Sequence, residues 1–564
     1  MQMPFTKRQS SLINTTVGRL DTYYDEQMCL LGKDIHSQGR VHDVRSSAYY
    51  ALGLLARGDL GDVDRAECII NKVLDQQLLY PNEIFHATFK RTPQEPSPPV
   101  GNFPWKRISP AARYFNDVWM EKTTNAFLQA LVKDGMPQAQ VLDMERKLEK
   151  AYISHFPEVW RTYDPNWREF IGSTFAIVLD WYEDILSEAT VKRLDATMRE
   201  TVDASIERRL ADMYPMNTNV ELMHIVFADY FGFRFNDQRI KDHVAFFAAD
   251  IYKRYMEFHS VHEFNSPTYY GVDLCALAQW RRCGKSEIVR EIGSLLEAGI
   301  WEDMALFYNA NLQSLSGPFT RNHEMDTGQH TGLFALIYLG LDEDEHEIKA
   351  VNTTESIHNI TMALCGVTIP NNLKENFLRF MGERQVTKYF RELIERGDPE
   401  YNNPLCTATA WIERDLMLGG ISGSKNVSGQ IHPATVYWKA PNGTMSIRLL
   451  RREPGNRFGK GNRTVHYDAK AEKEKLDIDI HIDIERDIEL FFQIEGNGND
   501  IFTSMIKPEQ WCLPGIIIQM DTNGGPPDVI ETDRGIEIVY LSKYDHKKVR
   551  ELYFRMKFKK FRMP

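Results

Sequence analysis

The sequence predicts an α+β protein of two domains, an N-terminal α/α toroid and a C-terminal antiparallel β-sandwich. The chain has 564 residues, which is more than one ordinary hydrophobic core holds. Apolar residues recur with a helical period up to about residue 400 and with a period of two beyond it. The helical segments follow one another through short connections, which is typical of stacked antiparallel hairpins.

The helical domain is predicted to span residues 1–404. Its first clear helix is SSAYYALGLLARG, with a capping serine, an apolar stripe and a terminal glycine. Similar segments continue as far as LKENFLRFMGERQVTKYFRELIERG, with no alternating strand pattern between them. Because no fixed-length repeat is present, we favour a closed toroid of about six hairpins over a regular solenoid.

A proline-rich loop interrupts the helices at residues 90–113. Irregular loops of this length in compact domains are usually functional or mobile. We interpret it as a lid over the toroid mouth, with a plain linker as the alternative, and expect its Trp105 to contact substrate.

The sandwich is predicted for residues 405–564. In KLDIDIHIDIERDIELFFQI, isoleucines alternate with acidic residues, so one face of this strand is buried and the other is wet. Carboxylates at every second residue share the solvent face, and we interpret them as solvated. The sequence predicts no metal site and no cofactor.

Composition narrows the class of protein. Hydrophobic residues make up 43% of the chain and charged residues 26%, which indicates an ordinary globular protein. A formal net charge of −12 argues against nucleic acid as the main partner. The sequence contains no run of about 18 apolar residues, so no membrane span is predicted. The first residues lack the composition of a signal peptide, so a cytoplasmic location is predicted, and the oligomeric state is left open.

The cysteines are expected to be buried free thiols. Their number is odd, their spacing forms no framework, and no CxxC motif occurs. They are Cys29, Cys68, Cys275, Cys283, Cys365, Cys406 and Cys512.

Polar side chains gather in four segments where helices begin or end. In a toroid, loops at one end line a central cleft, so these segments are expected to converge on one pocket. Each residue also has a structural interpretation as a helix cap, an ion-pair partner or a satisfied core group. The candidates are Asn166 and Trp167; Asn217 and Asn219; His262, Glu263, Tyr269 and Tyr270; and Arg321, His323 and Asp326.

These residues resemble a known family. The order Asn, His, Tyr, Arg on a helical domain, followed by a β-sandwich, is similar to polysaccharide lyases of the alginate lyase, chondroitin lyase and heparinase type. NTNVELMHIVFADYFGF resembles their Asn-rich turn that opens a helix near the substrate carboxylate, and HEFNSPTYYG resembles their Tyr-bearing segment. The turn here is Asn-Thr-Asn, where heparinase-like members commonly have Asn-Asn-His.

The resemblance implies β-elimination on a uronate-containing saccharide. Neutral amides and an arginine would neutralise the substrate carboxylate, a role for which Asn217, Asn219 and Arg321 are the candidates. Tyr269 or His262 would take the α-proton, and tyrosine can return it to the leaving oxygen. Neighbouring residues of a helix point about 100° apart, so only one of the two tyrosines is expected to face the cleft. We favour Tyr269 over Tyr270. The remaining candidates would contact the substrate, namely Tyr270, Asn166, Trp167, His323, Glu263, Asp326 and Trp105.

Three alternatives stay open. A glycoside hydrolase on the same toroid would need paired carboxylates, for which Glu221, Glu263, Glu324 and Asp326 are candidates. A small-molecule dehydratase, isomerase or cyclase would suit an intracellular chain. A helical scaffold without catalysis would leave the polar clusters as helix caps.

Overall fold

The computed structural model describes most of the chain. The described residues are 5–35, 39–100, 109–212, 215–323, 325, 333–341, 357–394, 399–426, 430–452, 465–482, 487–496, 500–543 and 550–561. Within them, helices fill the N-terminal part and antiparallel sheets the C-terminal part, which confirms the predicted fold class.

Most helices of the N-terminal part pack against the helix that follows them in the chain. Their bounds are α1 (Lys7–Asp21), α2 (Val44–Arg57), α3 (Asp62–Leu74), α4 (Pro110–Lys133), α5 (Gln138–His155), α6 (Trp167–Tyr182), α7 (Glu188–Ala211), α8 (Thr218–Arg234), α9 (Gln238–Phe258), α10 (Tyr269–Cys283), α11 (Glu287–Phe307), α12 (Leu333–Gly340), α13 (His358–Cys365) and α14 (Lys374–Leu378).

Five of these helices close a ring. Helix α2 contacts α6, α6 contacts α8, α8 contacts α10, α10 contacts α13, and α13 contacts α2 again. Helices α3, α7, α9 and α11 each follow an inner helix and pack outside it, and α1 packs against α13 and α2. Because α2, α6, α8 and α10 are each followed by an outer helix that packs against them, these four inner helices are expected to start at the same end of the toroid.

The inner position of these helices follows from their apolar composition. Helix α8 is buried along its whole length from Thr218 to Gly232, as expected for a helix that is apolar on most sides. Helices α6 and α8 approach closely at Gly172, where an added Cβ would lie 2.9 Å from a ring carbon of Phe227. The ring is therefore held by tight helix contacts.

Within the described residues the strands form four antiparallel sheets. A small N-terminal sheet contains β1 (Tyr24–Asp25), β2 (Leu30–Ile35) and β3 (Gly39–Asp43), and a hairpin contains β4 (Tyr308–Asn309) and β5 (Ser314–Leu315). The other strands are β6 (Arg384–Arg391), β7 (Leu405–Glu413), β8 (Leu416–Ser422), β9 (Ala434–Ala440), β10 (Gly443–Arg452), β11 (Val465–Glu472), β12 (Lys475–Ile482), β13 (Ile488–Glu495), β14 (Ile506–Lys507), β15 (Gln510–Leu513), β16 (Ile516–Thr522), β17 (Asp528–Thr532), β18 (Gly535–Ser542) and β19 (Arg550–Lys560).

Two large sheets share one core in the C-terminal part. The eight-stranded sheet has the order β17-β18-β13-β10-β9-β8-β7-β6, and the six-stranded sheet has the order β11-β12-β19-β16-β15-β14. In β12, Leu476, Ile478, Ile480 and Ile482 are buried against this core, and the intervening residues are partly or fully exposed. The predicted alternation in this strand is confirmed.

One predicted helix is wrong in part. Residues 384–391, expected to continue a helix, form strand β6, which pairs with β7 at the edge of the large sheet. Lys388 on β6 pairs with Asp303 on α11, and Val386 and Phe390 join the hydrophobic cluster of the toroid. These tertiary contacts outweigh helix propensity. The predicted division at 404/405 remains a prediction.

One cysteine prediction is also wrong. Cys29 and Cys68 form a disulfide with a Cα–Cα distance of 5.8 Å, although their separation of 39 residues has no recognisable motif. Of the remaining five cysteines, only Cys512 is exposed. Disulfides persist mainly in oxidising compartments, so this bond weighs against a cytoplasmic location. The cytoplasmic location remains a prediction. No helix in the described ranges is long and apolar enough to cross a membrane.

Candidate active site

The candidate site lies where the inner helices begin. Helix α10 starts at Tyr269, and the segment before it contains a turn at Asn265, whose φ is 48°. Asparagine tolerates this left-handed conformation better than most residues. Its side-chain Nδ2 donates to the carbonyls of Ser316 and Pro318 at 2.7 and 2.9 Å. The turn thus ties the start of α10 to the loop that carries Arg321.

Tyr269 is the centre of a polar cluster at this helix start. Arg321 Nη2 donates to the Tyr269 hydroxyl at 3.3 Å, and the guanidinium carbon lies 4.2 Å from the centroid of the phenol ring. Gln430 Nε2 donates to the same hydroxyl at 3.2 Å, and His323 Nε2 lies 3.4 Å from it. The phenol oxygen therefore faces one cation, one amide and one imidazole, and its side chain is half-buried.

Glu263 holds the arginine of this cluster. Its carboxylate accepts from Arg321 Nη1 through one oxygen and, through the other, from the backbone N and the side-chain Nδ2 of Asn219 at 2.8 and 2.6 Å. The Glu263 side chain is 1% exposed and that of Arg321 is 15% exposed. Both carboxylate oxygens of Glu263 thus accept hydrogen bonds, and Glu263 is a structural partner of Arg321.

Gln430 and its segment were not predicted from the sequence. The backbone of Asn322 donates to the carbonyl of Gln430 at 2.8 Å, and Phe319 and His432 form a β-bridge. Arg448 on β10 donates to the carbonyl of His323 at 2.8 Å. Residues of the β region therefore fix the loop that carries Arg321 and His323.

His262 lies in a different network from Tyr269. Its Nδ1 is 3.5 Å from Arg254 Nη1, and Arg254 donates to both oxygens of Glu221 at 2.7 and 2.8 Å. Burial, with the nearby charge of Arg254, lowers the pKa of His262 to about 4, so the imidazole is neutral at pH 7. Glu221 also accepts from Arg209 at 2.8 Å. The structure does not join His262 to Tyr269 by a hydrogen bond, and Glu221 is committed to two arginines.

The other predicted contacts are mostly buried. Asn166 accepts from Arg208 Nη2 at 2.8 Å, and Trp167 is 5% exposed beneath the guanidinium of Arg45. Tyr270 is completely buried, and burial raises the pKa of its phenol well above the usual range. Tyr269, rather than Tyr270, is therefore the tyrosine that meets Arg321.

The asparagine turn behaves differently from a helix cap. Asn217 stands at the N-cap of α8 and makes no side-chain capping bond. It is 1% exposed, and neither its Oδ1 nor its Nδ2 has a hydrogen-bond partner within the described residues. A buried amide without a partner is rare and needs an explanation, and a ligand group would supply one.

Some predicted residues lie outside the described ranges. They are Trp105 in the proline-rich loop, and Glu324 and Asp326 after His323. Among the residues that the structure does describe, no group of three or more His, Cys, Asp or Glu side chains is arranged to hold a metal ion.

Comparisons with known proteins give one family match. A family model described as a domain of unknown function, DUF8769, matches residues 10–132 and 142–368. No curated protein matches the sequence.

Similarity to solved structures is weak but extends along the chain. The heparan sulfate lyase of Pedobacter heparinus is 8% identical, with a TM-score of 0.31 over 100% of this chain and 84% of that one. The chondroitin AC lyase of Streptomyces coelicolor A3 is 8% identical, with a TM-score of 0.34 over 98% and 97%. An alpha-1,6-mannanase from Salegentibacter sp. HEL1_6 is 9% identical, with a TM-score of 0.27 over 63% and 98%. The predicted resemblance to polysaccharide lyases is thus present as a weak structural similarity.

Proposed function

Because this chain belongs to the DUF8769 family, whose description is a domain of unknown function, we propose its function from the site geometry. It is a carbon–oxygen lyase that cleaves a uronate-containing saccharide by β-elimination. The contact that carries this proposal is that of Arg321 with the Tyr269 hydroxyl, at 3.3 Å and with the guanidinium over the ring.

Tyr269 is the proton-transfer group of this proposal. A cation next to a phenol oxygen favours its ionised form, so Arg321 prepares Tyr269 to act as a base. The phenolate removes the proton from the carbon next to the uronate carboxylate. The electron pair of the broken C–H bond forms the C=C bond, the C–O bond to the leaving sugar breaks, and the Tyr269 proton goes to the leaving oxygen.

The carboxylate of the substrate needs neutral donors beside it. Removal of the α-proton places negative charge on this carboxylate, and preorganised donors stabilise that charge. Among the described residues the buried amide of Asn217 has no partner, whereas Nδ2 of Asn219 already donates to Glu263. We therefore assign carboxylate binding to Asn217 and a positioning role to Asn219.

His323 replaces His262 in this proposal. His323 is exposed and its Nε2 lies 3.4 Å from the Tyr269 hydroxyl and 3.3 Å from Gln430 Nε2. It can exchange the Tyr269 proton with solvent between turnovers. His262 is assigned to the structural network around Glu221.

The test compares two neighbouring tyrosines. Tyr269→Phe removes the hydroxyl that contacts Arg321, and Tyr270→Phe, the matched control, removes one that is buried beside it. We expect Tyr269→Phe to lower kcat by at least about a hundredfold, in the range of a lost general acid–base, and Tyr270→Phe to keep most of it. The readout is the near-ultraviolet absorbance of the unsaturated uronate. Full turnover by a folded Tyr269→Phe variant would refute the assignment.

A further inference from the structure

Asp273 is a buried carboxyl one turn beyond Tyr269. Residues four apart on a helix share a face, so Asp273 continues the Tyr269 side of α10 into the toroid. The residue is 0% exposed, and neither carboxyl oxygen has a hydrogen-bond partner within the described residues. An acidic group in such a place is costly unless it is neutral or has a ligand.

Two buried amides accompany it on neighbouring inner helices. Asn217 at the start of α8 and Asn359 in the first turn of α13 are each 1% exposed, and the described residues offer no partner to either amide. The Sγ of Cys275 on α10 lies 4.0 Å from the carbonyl oxygen of His358. This contact places the start of α13 level with the Asp273 turn of α10.

The surroundings of Asp273 favour the protonated form of its carboxyl. Burial, and then the charge of Glu263, raise the pKa of Asp273 well above its usual value, with Arg321 acting in the opposite sense. In its protonated form the Asp273 carboxyl can donate a hydrogen bond to an anion. The N-termini of α8 and α13 add the positive ends of two helix dipoles.

We propose that Asp273 is a specificity-determining residue that donates a hydrogen bond to the substrate carboxylate, together with the amides of Asn217 and Asn359. This inference rests on the proposed function and names the group that the enzyme selects. Side chains at i and i+4 lie about 5–6 Å apart at Cβ, so a carboxylate bound at Asp273 leaves its α-carbon facing Tyr269. A neutral sugar without the carboxylate would leave these donors without an anion to bind.

Free hexuronates test the proposal with the full chain. Glucuronate, galacturonate and mannuronate are titrated by calorimetry, each beside the hexose that lacks the carboxylate. We expect at least one hexuronate to bind at least ten times more tightly than its hexose. Asp273→Leu should reduce that preference about ten- to hundredfold, as for a lost hydrogen bond to a charged group. Asp273→Asn keeps a donor and should retain the preference within about threefold.

Asp229→Asn is the matched control. Asp229 is a buried acid on the same ring, in the C-terminal half of α8, and it accepts from the backbone of Lys285 at 2.6 Å. Its substitution should leave the hexuronate preference unchanged. If the Asp273→Leu variant does not fold, loss of the preference is sought instead in Asp273→Ser, whose shorter side chain withdraws the donor.

Several outcomes overturn the proposal. They are an unchanged preference in a folded Asp273→Leu variant, an equal loss for hexuronate and hexose, and no hexuronate binding by the wild type. The proposed function fails separately. In one outcome, hexuronates bind with the expected dependence on Asp273 while uronate oligosaccharides give no unsaturated product. That result would support the carboxylate site and refute the lyase activity.

Discussion

Substituting Glu263 with glutamine is expected to lower the free energy of unfolding by about 3–5 kcal/mol, the range for removing one partner of a buried ion pair. Glu263 is 1% exposed and receives three donors on its two oxygens. A glutamine supplies one acceptor oxygen, so its NH2 must face either Arg321 or both donors of Asn219. The carboxylate that neutralises Arg321 is lost in either orientation.

Urea unfolding measures this loss through the midpoint of the transition at an unchanged denaturant slope. The control is Glu257→Gln, because Glu257 pairs with Arg391 at 2.9 Å but both side chains are well exposed, 45% and 38%. Exposed pairs contribute about 0–1 kcal/mol, so the control should change little. Equal midpoints for the two variants would refute the structural role that we give to Glu263.

Two further predictions concern stability. Burial raises the pKa of Glu392 from 4.5 to about 7, so the folded chain binds this proton more tightly than the unfolded chain does. The proton therefore contributes to the free energy of unfolding. This contribution is complete below pH 4.5 and is lost as the pH rises to 7. Glu392→Gln should therefore gain about 2–3 kcal/mol relative to wild type between pH 5 and pH 8 in urea unfolding, and parallel pH profiles would contradict this. The Cys29–Cys68 bond closes a 39-residue separation, so replacing both cysteines with alanine should cost about 4 kcal/mol without reductant. Wild type and variant should unfold alike in dithiothreitol, and a wild type insensitive to dithiothreitol would show that the bond does not form.

The toroid could be predicted because its helices carry strong local signals. The inner helices are rich in apolar residues, and α2, α6, α8 and α10 are each joined to an outer helix by a short connection, as between α8 and α9. The β12 strand could be predicted for the same reason, since its buried isoleucines alternate over the full length that the structure describes.

Strand β6 shows where local signals are ambiguous. Its buried residues, Val386 and Phe390, are four apart, a spacing that fits one face of a helix and one face of a strand equally well. The choice is made by distant contacts, including the pair of Lys388 with Asp303 and the ladder with β7. A disulfide between Cys29 and Cys68 depends on distant packing in the same way.

The site was predictable in part. Both Tyr269 and Arg321 were singled out from the sequence, and the structure brings the side chain of Tyr269, at the start of α10, together with that of Arg321, in the loop after β5. His262 was expected beside Tyr269, but the chain turns at Asn265 between them, and His262 contacts Arg254. Gln430 reaches Tyr269 through a segment 161 residues away, which no local pattern indicates.

Elimination and hydrolysis of a glycosidic bond give products of different mass, so the masses of the products decide whether the chain is a lyase. Uronate oligosaccharides are incubated with the wild-type chain in water enriched in heavy oxygen, and the fragments are weighed by mass spectrometry. For elimination we expect fragments whose masses add up to that of the substrate, with no heavy oxygen and with the near-ultraviolet absorbance of an unsaturated uronate. Fragments that together gain one water and carry heavy oxygen would show hydrolysis and refute the proposed elimination.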